Sequence, residues 1–132
     1  IAFLGWAFKK DTNDTRESAA IYVADLLIDE QAILKVYDPK VTAAQMQFDL
    51  NYLKSRSESE NMKFLKSQND PYKVIEGAHA IAVLTEWDEF KTFDWRRIYN
   101  SMQKPAFVFD GRNILNKNHL EEIGFVYCGI GF

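Results

Sequence analysis

The residues best suited to chemistry in this sequence are cationic side chains beside turns of the backbone. Four lie in two stretches: Lys9, Lys10 and Arg16 in GWAFKKDTNDTR (5–16), and Arg112 in FDGRN (109–113). Positive groups beside a helix N-terminus favour an anion, and an arginine fork holds a phosphate through two hydrogen bonds. These residue types therefore predict anion binding. The alternatives are an ordinary solvated surface for the first three residues, and pairing with Asp110 or another nearby acid for Arg112.

The first of these loops lacks most of a dinucleotide-binding fingerprint. Such a fingerprint would place glycine at positions 5, 7 and 10, so that the backbone approaches a pyrophosphate closely. The sequence has Gly5, but Ala7 and Lys10 occupy the other two positions. Asp38 stands where such folds read a ribose, and without the glycines we interpret it as a residue that opens a loop. A pyrophosphate site of the usual kind is therefore not expected here.

Reactive centres are absent from the sequence pattern. Cys128 lies in the last predicted strand with no activating neighbour, and we interpret it as a small core residue. His79 and His119 have no metal-ligand spacing, so no metal site is predicted, and His79 is interpreted as a core histidine. Trp87 and Phe90 can form an aromatic wall or a subunit contact, although such aromatic residues are more often core. The residues alone predict a binding module.

Hydrophobic periodicity predicts the elements that position these residues. The run 1–6 and the segment 33–37 are typical of buried strands, and between them apolar residues recur with helical spacing from Ala20 to Ile28. Asp14 or Thr15 is the predicted N-cap of this helix. The remaining elements are a helix at 42–50, a solvated loop at 54–61, an edge strand at 62–66, a helix from Pro71 to Gly77, a strand at 79–85, a helix from Asp94 to about Gln103, a strand at 106–110, a helix at 119–123 and a strand at 125–128.

This alternation predicts one α/β domain over residues 1–132, with a doubly wound, mainly parallel sheet and helices on both faces. The formal charge of −3 argues against a nucleic-acid binder, which would need a net basic surface. No apolar run reaches the ~20 residues needed to span a membrane. A single cysteine excludes an internal disulfide and a cysteine zinc cluster, and fits a reducing, cytoplasmic setting. Because the chain opens on Ile1 within a predicted strand, we expect it to be a piece of a longer protein.

Four motifs resemble a known family. They are GWAFKKDTNDTRES (5–18), VYDPKV (36–41), LTEWDEF (84–90) and KPAFVFDGRN (104–113). In this order and spacing they resemble the C-terminal, UDP-binding domain of the eukaryotic UDP-glucose 6-dehydrogenases, within the UDP-glucose/GDP-mannose dehydrogenase superfamily. The resemblance covers nearly the whole chain and weakens only across 51–69.

The resemblance implies a Rossmann-like domain of an oxidoreductase that converts UDP-glucose to UDP-glucuronate with NAD⁺. It implies that the catalytic cysteine and the main NAD site lie in other domains, so that this chain alone is inert. Cytoplasmic homo-oligomers, dimers associated into hexamers, are also expected. The alternatives are a domain that serves chiefly in oligomerisation, and the equivalent domain of a sister dehydrogenase that acts on another nucleotide sugar.

The same resemblance implies roles for individual residues. Phe8 and Lys9 would contact the UDP-sugar, with Lys9 near the sugar, and Arg112 would bind the substrate. Arg16 would reach the NAD side of the cleft. Two positions depart from the family pattern: Trp6 replaces a common phenylalanine, and Asn13 replaces a common glycine, where asparagine tolerates a positive φ.

Overall fold

The computed structural model describes residues 1–130 and contains one parallel sheet in that part of the chain. Its strands are β1 (Ala2–Leu4), β2 (Leu34–Tyr37), β3 (Leu65–Ser67), β4 (Ala80–Val83), β5 (Phe107–Asp110) and β6 (Val126–Gly129). Their order in the sheet is β3-β2-β1-β4-β5-β6, with every pair parallel. This is the order of a doubly wound α/β fold, in which the chain reverses direction between β1 and β4. The predicted fold class is confirmed.

Two groups of helices pack on the sheet. They are α1 (Ala19–Asp29), α2 (Ala43–Tyr52), α3 (Glu58–Phe64), α4 (Pro71–Ile75), α5 (Trp95–Ser101) and α6 (Lys117–Ile123), with a short 3₁₀ helix at Asp88–Thr92. Helix α2 packs against both α1 and α3, whereas α5 packs against both α4 and α6. Because crossovers between parallel strands are right-handed, these two groups lie on opposite faces of the sheet.

Helix α1 begins later than predicted. Its N-cap is Ser18, whose hydroxyl accepts a hydrogen bond from the Ala20 N–H, and neither Asp14 nor Thr15 caps it. Glu17 adopts a φ of 61°, which a right-handed helix excludes, so the helix starts only after this residue. Asp70 caps α4 and Asp94 caps α5, since each carboxylate accepts a backbone N–H in the first turn of its helix.

The segment 54–61 is not only a solvated loop. It includes the start of α3, which Ser57 caps by accepting the Glu60 N–H, and the edge strand follows at 65–67 instead of 62–66. The buried Arg56 side chain ties this segment to α1, because its Nη2 lies 2.6 Å from Asp29 Oδ1 and donates to the Asp25 carbonyl. A guanidinium with several fixed acceptors explains why a polar sequence is ordered here.

Side-chain burial confirms one interpretation from the sequence and corrects two. Trp87 and Phe90 are both core residues, so a subunit contact through them is wrong and the core interpretation is confirmed. Cys128 and His79 are exposed, so the interpretation of both as core residues is wrong. The reason for Cys128 is alternation along β6: Tyr127 points into the core, and its neighbours point to the other face, which α1–α3 leave open over β5 and β6.

Gly5 allows β1 and the loop after β4 to approach each other closely. Its φ is 103°, and a Cβ built on it would lie 2.6 Å from the backbone nitrogen of Thr85. The Gly5 N–H donates to the Tyr37 carbonyl at 2.8 Å, and the Thr85 hydroxyl donates to the Ala7 carbonyl at 2.7 Å. Glycine is therefore required at this position for two reasons: a side chain would clash with Thr85, and the positive φ is unfavourable for other residues.

Replacement of this glycine should destabilise the fold. We expect Gly5→Ala to lower the free energy of unfolding by about 3 kcal/mol, because it adds a backbone clash to the strain of a positive φ. Gly77→Ala is the matched control, since Gly77 has a φ of 75° but no atom lies within 4 Å of the position that an alanine Cβ would take. That variant should lose only about 1–2 kcal/mol. Urea denaturation measures both, and equal losses would show that the contact with Thr85 is unimportant.

Candidate functional site

The loops that follow β1, β2, β4 and β5 meet at the carboxyl edge of the sheet, where open α/β sheets bind ligands. Asp38, at the end of β2, joins three of them. Its Oδ2 accepts hydrogen bonds from the Trp6 N–H at 2.7 Å, from the Ala7 N–H at 2.9 Å and from the Trp87 indole Nε1 at 3.2 Å. The start of the β1–α1 loop is therefore fixed by one buried carboxylate.

The second oxygen of Asp38 is also occupied. Oδ1 accepts the N–H groups of Lys40 and Val41 at 2.8 and 3.1 Å, which forms the turn after β2. The interpretation of Asp38 as a residue that opens a loop is thus confirmed. Because both oxygens are bonded inside the fold and the residue is only 8% exposed, no acceptor remains for a ribose.

Further contacts fix the rest of the β1–α1 loop. The Ser18 hydroxyl, which caps α1, donates to the Trp6 carbonyl at 2.6 Å, and the Phe8 N–H donates to the Asp14 carbonyl at 2.8 Å. The substitution at Trp6 is accommodated, because the buried indole donates from Nε1 to Asp49 Oδ2 at 3.0 Å. The tolerance of asparagine for a positive φ is not used at Asn13, because the residues of this loop that adopt a positive φ, besides Gly5, are Asp11 and Glu17.

Arg112 links two of the loops without forming an ion pair in the described part of the chain. Its Nε donates to the Leu84 carbonyl at 3.0 Å, and its Nη2 donates to the Phe8 carbonyl at 3.1 Å. Pairing of its side chain with Asp110 is not seen, because only the Arg112 backbone N–H contacts that carboxylate. Asp110 instead accepts the Leu115 N–H and the Tyr127 hydroxyl, each at 2.8 Å. No carboxylate within residues 1–130 therefore neutralises the guanidinium, and its Nη1 has no hydrogen-bond partner among these residues.

Phe8 and Lys9 lie beside Arg112 on the same surface. The Phe8 side chain is 46% exposed, and the exposed Lys9 ammonium has no hydrogen bond or ion pair within residues 1–130. Lys10 differs, because its Nζ lies 3.4 Å from Asp88 Oδ2 and its backbone N–H donates to Glu86 Oε1. Of the two adjacent lysines, Lys9 is therefore the one without a direct ion pair in the described part of the chain, although the Asp14 carboxylate attracts it through space.

Arg16 lies at the other end of the loop. Its guanidinium pairs with the Asp14 carboxylate through Nε to Oδ1 at 3.0 Å and Nη2 to Oδ2 at 2.8 Å. These hydrogen bonds lower the pKa of the Asp14 carboxyl from 3.8 to about 2. Both side chains are in solvent, so the pair orders the loop locally and adds little to stability. Asp14 joins this pair to the site, since its carbonyl accepts the Phe8 N–H.

The site does not fit the pyrophosphate of a dinucleotide. The N–H of Ala7, where a fingerprint glycine would donate to phosphate, is bonded to Asp38, and Ser18 already caps α1. No group of three or more metal-binding side chains occurs among residues 1–130. In the same residues no helix is long and apolar enough to cross a membrane. A cleft of about 330 Å³ adjoins Arg16, between α1 and α2, and does not include Lys9 or Arg112.

Comparison with known proteins shows the family of this chain. A sequence model of the UDP-glucose/GDP-mannose dehydrogenase family, UDP binding domain, matches residues 2–117. The chain belongs to this family. It is 48% identical to UDP-glucose 6-dehydrogenase 4 of Arabidopsis thaliana and 47% identical to UDP-glucose 6-dehydrogenase of Bos taurus, over 99% of this chain in each case. The chain spans 29% and 27% of the length of these two relatives.

Solved structures in the family share the fold. The NDP-N-acetyl-D-galactosaminuronic acid dehydrogenase of Methanosarcina mazei matches 98% of this chain and 24% of its own, with a TM-score of 0.75 and 26% identity. A UDP-glucose dehydrogenase of Pyrobaculum islandicum matches 99% of this chain and 25% of its own, with a TM-score of 0.68 and 24% identity. The second likeness shows the fold alone.

Several residues that build the site were not identified from the sequence as doing so. Thr85, Glu86 and Asp110 each hold a loop that presents a cationic residue, and Asp38 was recognised only as the start of a turn. The position of these residues in the sequence could have indicated this role. All four stand at or shortly after the carboxyl end of a strand, and these strand ends face the site. Hydrogen bonds between residues tens of positions apart leave no periodic pattern, so spacing alone does not reveal them.

Removal of the Asp38 charge should destabilise the site-bearing loop. In Asp38→Asn, one oxygen that accepts N–H groups becomes an NH₂ facing donors, so we expect a loss of about 2–4 kcal/mol in the free energy of unfolding. Asp49→Asn is the control, since Asp49 contacts only the Trp6 indole and the Gln45 amide among described partners, and should cost about 1 kcal/mol. Denaturant titration compares the two, and equal losses would contradict the central position given to Asp38.

Proposed function

We propose that this chain is the UDP-sugar-binding domain of an NAD-dependent dehydrogenase that oxidises UDP-glucose to UDP-glucuronate. The observation that supports this most strongly is the convergence of Phe8, Lys9 and Arg112 at the carboxyl edge of the sheet. The Arg112 guanidinium bonds to the Phe8 carbonyl, and the adjacent Lys9 ammonium is unpaired within the described residues. The family match to a UDP-binding domain supplies the class of ligand.

The proposed chemistry of the chain is positioning. A nucleotide sugar carries a diphosphate, and Nη1 of Arg112, which has no partner within residues 1–130, offers it a planar donor next to a fixed backbone. The exposed Phe8 ring provides an apolar surface, and Lys9 contacts the sugar end. Holding the sugar in one orientation relative to groups elsewhere in the protein lowers the entropic part of the barrier.

The oxidation itself would depend on parts of the protein outside this chain. NAD, which would accept the hydride, is bound mainly there, because the residues of this chain do not fit its pyrophosphate. Arg16 is proposed to reach the NAD side of the cleft from the far end of the same loop. The reacting cysteine is also expected outside the chain, since Cys128 lies on the open face of β6. Its free thiol suits the reducing cytoplasm, where we propose the protein works.

Arg112 should contribute to substrate binding and not to NAD binding. In the full-length protein we expect Arg112→Ala to raise the KM for UDP-glucose by about tenfold or more, with the KM for NAD⁺ unchanged. Arg96→Ala, in the exposed first turn of α5, is the matched control and should change neither value. Steady-state kinetics against each substrate separates the two effects. An unchanged KM for UDP-glucose would contradict the assignment.

A second candidate function is assembly, and a specific surface favours it. Phe109, Val126 and Ile130 are 47%, 42% and 65% exposed on the open face of β5 and β6, although parallel sheets are normally covered on both faces. We propose that a second copy of the protein covers this face, in line with the homo-oligomers that the resemblance implies. The same face of another nucleotide-sugar dehydrogenase would serve equally, so this surface does not discriminate between sugars.

Charge on this face should dissociate the assembly. We expect Phe109→Glu to lower the mass of the full-length protein in sedimentation, because a carboxylate cannot be buried against apolar side chains without a large cost. Phe48→Glu is the control, since Phe48 is 62% exposed on α2, away from this face. The mass of the Phe48→Glu protein in sedimentation should equal that of the wild type. An unaltered mass for Phe109→Glu would contradict the proposal, and a loss of folding stability in its place would indicate cover by another part of the same chain.

A further inference from the structure

Lys9 lies between two backbone groups that are each held by a side chain from another loop. On one side, the Phe8 carbonyl accepts Nη2 of Arg112 at 3.1 Å. On the other side, the Lys10 N–H donates to Oε1 of Glu86 at 3.0 Å. The peptide planes flanking Lys9 are thus fixed from the ends of β5 and β4, while its own ammonium stays unpaired within residues 1–130.

Glu86 is the middle residue of the segment 85–87. Each residue of this segment contacts either the β1–α1 loop or Asp38, the carboxylate that holds this loop. The Thr85 hydroxyl donates to the Ala7 carbonyl, and the Trp87 indole donates to Asp38, which holds Trp6 and Ala7. Glu86 lies between these two and is half-buried. The segment after β4 therefore follows the loop over several residues, and Glu86 provides its contact closest to Lys9.

A carboxylate at this position has an electrostatic cost if the site binds a diphosphate. Its negative charge repels the ligand, and Asp88 already compensates Lys10, since Asp88 Oδ2 lies 3.4 Å from Lys10 Nζ. The Glu86 charge is therefore not needed to neutralise the second lysine. What Glu86 alone supplies is an acceptor for the Lys10 N–H, which has no other partner in the described residues.

We propose that Glu86 is a positioning residue: its hydrogen bond to the Lys10 N–H fixes the backbone at Lys9, so that the Lys9 ammonium points at the sugar end of the bound nucleotide sugar. This inference rests on the proposed function. It assigns Glu86 no contact with the ligand and no proton transfer. The Glu86 carboxylate acts only through the orientation of Lys9. A small displacement of the Lys9 ammonium is enough to lower the rate of the reaction.

Two substitutions of Glu86 separate positioning from charge. Glu86→Gln removes the charge but keeps an oxygen acceptor, whereas Glu86→Ala removes both. In the full-length protein we expect Glu86→Ala to lower kcat with UDP-glucose by about tenfold, the same loss that we expect for Lys9→Ala, and Glu86→Gln to stay within about twofold of the wild type. The Kd for UDP, which lacks the sugar, should stay within about twofold in both variants because Arg112 remains in place. Calorimetric titration with UDP gives this second readout.

Asp88→Asn is the matched control. It removes a carboxylate two residues away that contacts the lysine side chains and not the loop backbone, and kcat should not change. Equal effects of Gln and Ala at position 86 would show that Glu86 acts through charge or not at all, and would overturn the proposal. A UDP affinity that falls together with kcat in Glu86→Ala would show general loosening of the loop, with the same consequence. Failure of the wild type to bind UDP would instead overturn the proposed function, and this inference with it.

Discussion

One buried carboxylate organises the functional edge of this domain. Asp38 accepts five hydrogen bonds, from the backbone N–H groups of four residues in two loops and from the indole of Trp87 in a third. All of the donors are neutral, so the negative charge is stabilised by dipoles and not by a countercharge. A buried charge is tolerable only when hydrogen bonds satisfy it in this way. The dependence is mutual, because these N–H groups would otherwise be buried without acceptors, and the loops can form only around this side chain.

The cationic side chains at this edge are of two kinds: some are paired with a carboxylate, and others are not. Lys10 is compensated by Asp88, and Arg16 by Asp14. Arg112 bonds to two carbonyl oxygens, which fix its position without neutralising it. Because the backbone is held by Asp38, Thr85 and Glu86, the remaining charges on Lys9 and Arg112 stay available for an anion. A mildly acidic chain can thus present a small cationic site, since neutral hydrogen-bond partners and the carboxylates of other residues hold the loops while Lys9 and Arg112 form no ion pair within residues 1–130.

The sequence allowed the fold, and the identity of the exposed cations, to be predicted, because both follow from local patterns. Strand–helix alternation predicts the doubly wound sheet. In such a sheet the loops after β1 and β5 lie at the same edge, so the cationic residues of both loops are expected there. The start of α1 was not predictable in the same way, since Glu17 takes a positive φ that no propensity indicates. The exposure of Cys128 depends on which half of the sheet the helices leave open. The contacts of Glu86 and Asp38 join residues that are far apart in the chain, so only the folded arrangement reveals them.

The close approach at Gly5 has a mechanical consequence. The backbone at Gly5, just after β1, passes the Thr85 peptide with no room for even a methyl group. The Gly5 N–H donates to the Tyr37 carbonyl, and the Thr85 hydroxyl donates to the carbonyl of Ala7, two residues further along the loop. This contact bridges the boundary between β1 and β4, where the two halves of a doubly wound sheet meet. Because β1 and β4 are also paired along their length, the two halves of the sheet are held together both by hydrogen bonds between strands and by this contact. We therefore expect a nucleotide sugar to bind at this edge without separation of the two halves.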